Sequence, residues 1–213
     1  MIRLYGYWRS LAAYRVRVAL NLKGLTFTEE IVDLASDAQL APSFRVLNPQ
    51  GAVPTVVIDG GPPLTQSLAI MELLDELHPA PPLLPTDPLR RACARSLALL
   101  FAADHHPLIT PRVTRYLRRN FAADDVKQTE WVRHWLRQSL QEAEARLVRE
   151  HNGGSFCHGD WPGIADICLA SQVLGAKAFN VELTDTPHVN QIGEACLANE
   201  AFSRAHPLGQ PRI

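Results

Sequence analysis

The sequence predicts an α/β domain followed by an all-α domain, and three observations carry that prediction. Strand-like and helix-like segments alternate from Ile2 to Leu77. The run PAPPLLPTDP, with five prolines between Pro79 and Pro88, then interrupts the pattern. Beyond it the apolar residues recur at helical spacing alone. Proline lacks a backbone donor and disfavours helix in the residue before it. The run is therefore the linker candidate, with residues 1–83 and 89–213 as domains and 84–88 between them.

The elements follow in order. Ile2 to Tyr7 alternates as a strand, with Ile2 and Leu4 on one face. Ala12 to Lys23 carries Val16, Ala19, Leu20 and Lys23 at helical spacing, and Gly24 stops it. Thr26 to Val32 is β-branched and aromatic, hence a strand. Ala38 to Val46 is a weakly signalled helix. Thr55 to Ile58 and Leu64-Thr65 flank the turn Asp59-Gly60-Gly61 as a hairpin. Ser67 is expected to cap a helix whose stripe is Leu68, Met71, Leu74 and Leu77. The order βαβ, α, ββα gives a small α/β sandwich with mixed strand directions.

In the second part, Leu89 to Arg119 is helix-periodic but kinked or broken at Pro107 and Pro111. Asp124 to His151 is a long amphipathic helix with Val132, Leu136, Leu140, Ala143 and Leu147 on one face. Ile164 to Ala178 is nearly uncharged and apolar on most sides, which marks it as the central helix. Val189 to Leu197 and Glu200 to Ala205 are short helices before a proline-interrupted tail.

Composition narrows the function classes. Of 213 residues 46% are hydrophobic and 20% charged, which excludes disorder as the main state. A formal net charge of −1 leaves no global basic field for nucleic acid or an anionic membrane. The densest apolar stretch, Leu97 to Ala103, is far shorter than a membrane span. The start, Met1 to Tyr5, lacks the pattern of a signal peptide. Cys93, Cys157, Cys168 and Cys196 stand far apart, consistent with thiols in a reducing cytosol and no zinc site.

Three segments are candidates for chemistry. Val53-Pro54, just before a strand, is a place for a cis bond that turns the Val53 N–H and C=O outward, where they pair with a peptide ligand by strand-like addition; the plainer reading is a trans proline opening a strand. Gln66-Ser67 lies at a helix start, where free N–H groups suit a carboxylate, or Ser67 is a simple cap. In Trp8-Arg9-Ser10 the Ser10 hydroxyl stands at the first helix's N-terminus, either as its cap or as a donor to an anion such as a bound thiolate. No cysteine occupies that segment, which excludes a thioredoxin-type redox role, and no G-x-S-x-G elbow supports a serine hydrolase. His105 and His106 diverge on a helix and do not chelate one ion. Cys157-His158 reads as structural, Asp166 as a capping residue, and Arg115, Arg118 and Arg119 as a solvated face, with Arg112 turned inward.

The sequence resembles the zeta-class glutathione S-transferases, the family of maleylacetoacetate and maleylpyruvate isomerases. The resemblance rests on Trp8-Arg9-Ser10, Arg15 to Gly24, Leu47-Asn48-Pro49-Gln50, Val53-Pro54-Thr55, Gln66 to Ile70, Gly159-Asp160, Ala165 to Leu169 and Val181 to Thr184, and it keeps its order over nearly the whole chain. It implies a thioredoxin-like N-terminal domain that holds glutathione and an all-helical C-terminal domain that supplies most of the second-substrate pocket. It also implies a cytosolic homodimer. Carried over, Ser10 is the catalytic hydroxyl beside the thiol. Val53 bonds the cysteinyl backbone, Gln66 and Ser67 hold the γ-glutamyl end, Gln39 approaches the glycyl end, and His106 contacts glutathione. Arg9 and Arg112 are the forks for substrate carboxylates. Glutathione is then a cofactor for cis–trans isomerisation of a maleyl-keto acid by reversible thiolate addition. Two alternatives stay open: a transferase that conjugates or dehalogenates small electrophiles, and a non-catalytic glutathione-binding protein. The chain departs from the family at Leu11-Ala12, where Ser-Cys or Gly-Thr is usual. It departs again at Ala178, where an arginine is frequent, with Lys177 one residue earlier, and at Gly163, where Ser or Thr is usual.

Overall fold

Four strands, β1 (Ile2–Gly6), β2 (Phe27–Ile31), β3 (Thr55–Ile58) and β4 (Leu64–Thr65), form one sheet in the order β2-β1-β3-β4. The computed structural model describes residues 1–150 and 153–211. β1 and β2 run parallel with Ile2 opposite Phe27; β3 is antiparallel to both β1 and β4, so the sheet is mixed as expected. α1 (Leu11–Leu22) makes the crossover, and α2 (Pro42–Leu47) and α3 (Ser67–Leu77) complete the βαβ, α, ββα order. Leu4, Val16, Leu20, Val56, Ile70, Met71 and Leu74 are buried together as the core of this unit.

Three local expectations change. The helix expected over 38–46 is a 3-10 turn, Ala38–Leu40, followed by α2, because Pro42 holds Ala41 extended (φ −60°, ψ 142°). The cap of α3 is Gln66, in a left-handed conformation (φ 70°), with Ser67 as the first helical residue. The Ser67 hydroxyl is engaged instead by a buried guanidinium, Arg15 Nη1, at 3.0 Å. α1 is buried from Ala13 to Leu20, well beyond the expected stripe, and that stretch includes Arg15 and Arg17.

The chain falls into two units, and the first is not continuous in sequence: Met1–Leu84 is joined by the segment from Ala198 onward. α9 (Glu200–Ala205) packs on α1, with Phe202 fully buried and the Asn21 side-chain amide donating to the Ala201 carbonyl at 2.9 Å. The second unit, Pro85–Leu197, is helical. α4 (Pro88–Leu99) starts with Pro88 as its first helical residue, capped by Asp87 through the Arg90 N–H at 2.8 Å. A π-turn over Leu100–His105 and a 3-10 turn over His106–Ile109 then break the helix, and Pro111 opens α5 (Pro111–Phe121). The break therefore begins before Pro107, at the π-turn. α6 (Asp125–Glu150) is the long amphipathic helix; its expected last residue, His151, lies outside the described residues.

α7 (Ile164–Ala178) is buried from Ile164 to Ala176, as expected for the central helix, and α8 (Pro187–Ala198) follows it. Gly163 supplies an extended cap conformation, and Asp166 takes the N–H groups of Gly163 at 2.8 Å and Cys157 at 2.7 Å. Asp166 is thus a capping residue, as read. Burial pushes the Cys157 and Cys196 thiols up, which keeps both as inert packing groups. Among the described residues no helix is long and apolar enough to cross a membrane.

Candidate active site

The ladder gathers the predicted residues of the first unit. Tyr5 lies opposite Thr55, and Thr55 opposite Thr65. The loop after β1, the residues before β3 and those after β4 therefore share one end of the sheet. That end collects Arg9-Ser10, Val53 and Gln66-Ser67.

The β1–α1 loop is tightly turned. Ser10 N–H donates to the Tyr7 carbonyl at 2.9 Å, and Ser10 Oγ accepts from Ala13 N–H at 3.1 Å. Ser10 is thus the N-cap of α1, and its hydroxyl hydrogen remains available as a donor, because a hydroxyl both donates and accepts. The N–H groups of Leu11 and Ala12 open the helix and have no intrahelical acceptor. Arg17 braces the loop from inside, its Nη2 donating to the carbonyls of Tyr7 at 3.1 Å and Trp8 at 3.4 Å. Arg9 is exposed, with its guanidinium 5.4 Å from the Trp8 ring centre.

Val53 stands two residues before β3, outside the ladder, and the Val53–Pro54 bond is cis as expected. Asn48, buried, fixes this loop: its Nδ2 donates to the Ala52 carbonyl at 2.7 Å and its Oδ1 accepts from Gln50 N–H at 3.0 Å. Gln66 Nε2 reaches Gln50 Oε1 at 3.2 Å, tying the two segments together. Gln39 is buried in the 3-10 turn and donates to Asp37 Oδ1 at 3.1 Å. That turn lies against Gly51 (φ 59°), where a Cβ would sit 3.1 Å from the Gln39 carbonyl. Gln39 Oε1 is buried with no hydrogen-bond partner among the described residues. A buried acceptor in that state has room for a donor from a ligand or a bound water.

The second unit holds the other two candidates. His106 is half-buried on the 3-10 turn, and Arg112 is exposed in the first turn of α5. No side chain of α5 is buried, so the expectation that Arg112 alone turns inward is not met. Before them, the π-turn is pinned by buried His105, whose Nε2 lies 2.8 Å from Glu142 Oε2. Gln138 and His105 together hold the Glu142 carboxyl below its ordinary range. A depressed carboxyl stabilises the fold above its ordinary value, 4.5, and loses that contribution as pH falls through the folded value. Glu142→Gln is therefore expected to cost about 0.5 kcal/mol at neutral pH, small because Glu142 is half-exposed. Urea denaturation is expected to show that difference vanishing on acidification. Lys177 is exposed in the last turn of α7. Near it, Arg133 Nε donates to the Phe179 carbonyl at 2.7 Å, which places a guanidinium beside the Ala178 position.

Arg15, Arg17, Asn48, Gln50 and Arg133 are contacts the sequence reading missed. Asn48-Pro49, a turn-forming pair, was the available signal for the second loop; the buried arginines sit on a face whose spacing gives none. Together the first-unit residues offer an extended peptide two backbone groups at Val53, a helix N-terminus for a carboxylate at Gln66-Ser67, and a hydroxyl plus two N–H groups for an anion at Ser10 to Ala12. Among the described residues no cluster of three or more His, Cys, Asp or Glu could hold a metal ion.

Comparison with known proteins agrees with this arrangement. Residues 9–77 match the model of the glutathione S-transferase N-terminal domain. The chain is 41% identical to a maleylacetoacetate isomerase of Pseudomonas aeruginosa, covering 99% of this chain and 98% of that protein. It is 39% identical to a maleylpyruvate isomerase of Ralstonia sp., covering 99% of each. Among solved structures, a maleylacetoacetate isomerase of Methylobacterium extorquens with bound malonate and GSH is 46% identical, with a TM-score of 0.95 over 98% of each chain. A maleylpyruvate isomerase described as a zeta-class bacterial glutathione S-transferase shows 39% identity and the same TM-score, 0.95, again over 98% of each chain.

Proposed function

The chain belongs to the glutathione S-transferase family, among its zeta-class maleylacetoacetate and maleylpyruvate isomerases, and from that premise we propose that it isomerises a maleyl-keto acid from cis to trans with glutathione as cofactor. The observation that carries the reading is the Ser10 hydroxyl, set at the start of α1 on the sheet end that also holds Val53 and Gln66-Ser67. The residues present fit the tripeptide, since the buried Gln39 Oε1 awaits a donor.

When bound, glutathione supplies a nucleophilic sulfur that adds to and leaves a double bond flanked by carbonyls, so that the bond rotates while single. The chain's part is to hold and polarise. Val53 pairs its free backbone groups with the cysteinyl backbone, Gln66 and Ser67 take the γ-glutamyl carboxylate on the α3 terminus, and Gln39 meets the glycyl end. Ser10 donates its hydroxyl hydrogen to the thiolate. With Leu11 and Ala12 following it, Ser10 is the sole side-chain donor of that triplet, so the other help comes from the helix N–H groups and dipole. Arg9 and, from the second unit, Arg112 are the forks for the substrate's carboxylates, and His106 is a glutathione contact. A homodimer in the cytosol belongs to the same proposal.

The test mixes the protein with a maleyl-keto acid and substoichiometric glutathione, following ultraviolet absorbance and free thiol together. Isomerisation with constant thiol is expected. Thiol loss matching substrate loss overturns the isomerase in favour of a conjugating transferase, and no calorimetric heat with millimolar glutathione overturns both.

A further inference from the structure

Arg17 is 1% exposed, yet burying a guanidinium is costly unless its donors and its charge are met. The compensation here is partial. Nη2 serves the Tyr7 and Trp8 carbonyls, Nη1 stands 3.7 Å from Glu29 Oε1, and Nε has no hydrogen-bond partner among the described residues. Glu29 comes from β2 and its carboxylate lies over Gly6, where a Cβ would be 2.2 Å from Oε1, so a side chain at position 6 would displace the carboxylate from its present place. Besides Glu29, the charged or titratable groups facing Arg17 among the described residues are Tyr14 on its own helix and Arg204 of α9, which lines the same cavity of about 500 Å³. Burial pulls the Arg17 guanidinium below its ordinary value and pushes the Glu29 carboxyl above its own.

We propose that Arg17 is a positioning residue for the β1–α1 loop, holding the Tyr7 and Trp8 carbonyls inward and thereby setting Arg9 and Ser10 where the glutathione thiol ionises. The inference rests on the function proposed above. C=O and N–H point to opposite sides of a trans peptide plane, so a cation gripping the Trp8 carbonyl turns the Arg9 N–H away from itself and out of the core. A buried positive charge also acts at short range in a low-dielectric interior, and it favours an anion at the loop it holds. Two effects follow from one side chain: the loop is oriented, and the thiol's ionisation is eased.

Four proteins test this: wild type, Arg17→Met, Arg17→Lys and Glu29→Gln. For each, calorimetry gives the glutathione affinity, and thiolate absorbance against pH gives the ionisation of bound glutathione. Wild type is expected to hold the thiol below its free value. Arg17→Met is expected to raise it by about one pH unit while affinity changes less than about threefold, and Arg17→Lys to recover about half of that rise. Glu29→Gln, which removes the counter-charge, is expected to lower it further by about half a unit. Arg17 variants that fold and titrate like wild type overturn the inference and leave the proposed function standing. Should Arg17→Met not fold, an unshifted thiol in Glu29→Gln overturns it equally. A wild-type protein that binds glutathione without lowering its thiol overturns both this inference and the thiolate step.

Discussion

Ser10→Ala is expected to lower kcat/KM for isomerisation about 100-fold while leaving glutathione affinity within about threefold. The magnitude follows from the charge-assisted hydrogen bond that Ser10 offers a thiolate, about 1.5–3 kcal/mol, since each 1.36 kcal/mol is about tenfold in rate. The same substitution removes the cap on Ala13 N–H, at about 1 kcal/mol of stability, or about 2–4 °C in Tm for a chain of this size. Ser10→Thr separates the two roles, because it keeps a hydroxyl able to cap and to donate. Threonine is expected to return activity to within about tenfold of wild type. Steady-state kinetics with a maleyl-keto acid checks the prediction; Ser10→Ala turning over within threefold of wild type would assign thiolate stabilisation to the Leu11 and Ala12 N–H groups and remove Ser10 from the chemistry.

The second large effect is on stability. Lys23 Nζ, whose side chain is 0% exposed, donates to Asp75 Oδ1 and the His78 carbonyl, both at 2.6 Å, and to the Pro81 carbonyl. All three ammonium hydrogens are thus met. Asp75 Oδ1 also takes the Leu83 N–H at 2.7 Å. One buried ion pair therefore fixes the chain as it leaves α3. Lys23→Met strands the Asp75 charge, and breaking a buried pair from one side costs about 3–5 kcal/mol. In denaturant titrations the midpoint is expected to fall accordingly at unchanged slope. Adding Asp75→Leu to Lys23→Met is expected to recover more than half of the loss, because the isolated charge, rather than the missing attraction, is the larger cost. A single variant within about 1 kcal/mol of wild type would show that water reaches Asp75 once the lysine is gone.

What the sequence showed and what it hid divide along a physical line. Thr55–Ile58, Leu64–Thr65, Ile164–Ala178 and Glu200–Ala205 lie where periodicity and turn residues put them, since those signals are local. Ser10 at the head of α1 was readable for the same reason, because caps are set by neighbours in sequence. Arg15 and Arg17 were not readable: an apolar stripe at Val16, Ala19 and Leu20 says nothing of two arginines whose acceptors, Ser67 Oγ and the Tyr7 and Trp8 carbonyls, come from elsewhere in the fold. The same holds for Gln66 standing as cap in place of Ser67, whose hydroxyl is met by Arg15 from 52 residues away. The break that Pro107 and Pro111 signal is present, but proline alone does not say that the turn before it, Leu100–His105, takes the π form.

The return of the segment from Ala198 to α1 bears on how the polypeptide is made. Asn21 waits for an acceptor 180 positions further along, and the ribosome delivers it only after the whole helical unit. At about 5–20 residues per second that interval is about ten to forty seconds. During it α1 has no α9 against it, so the first unit completes its packing only after the helical unit has been made.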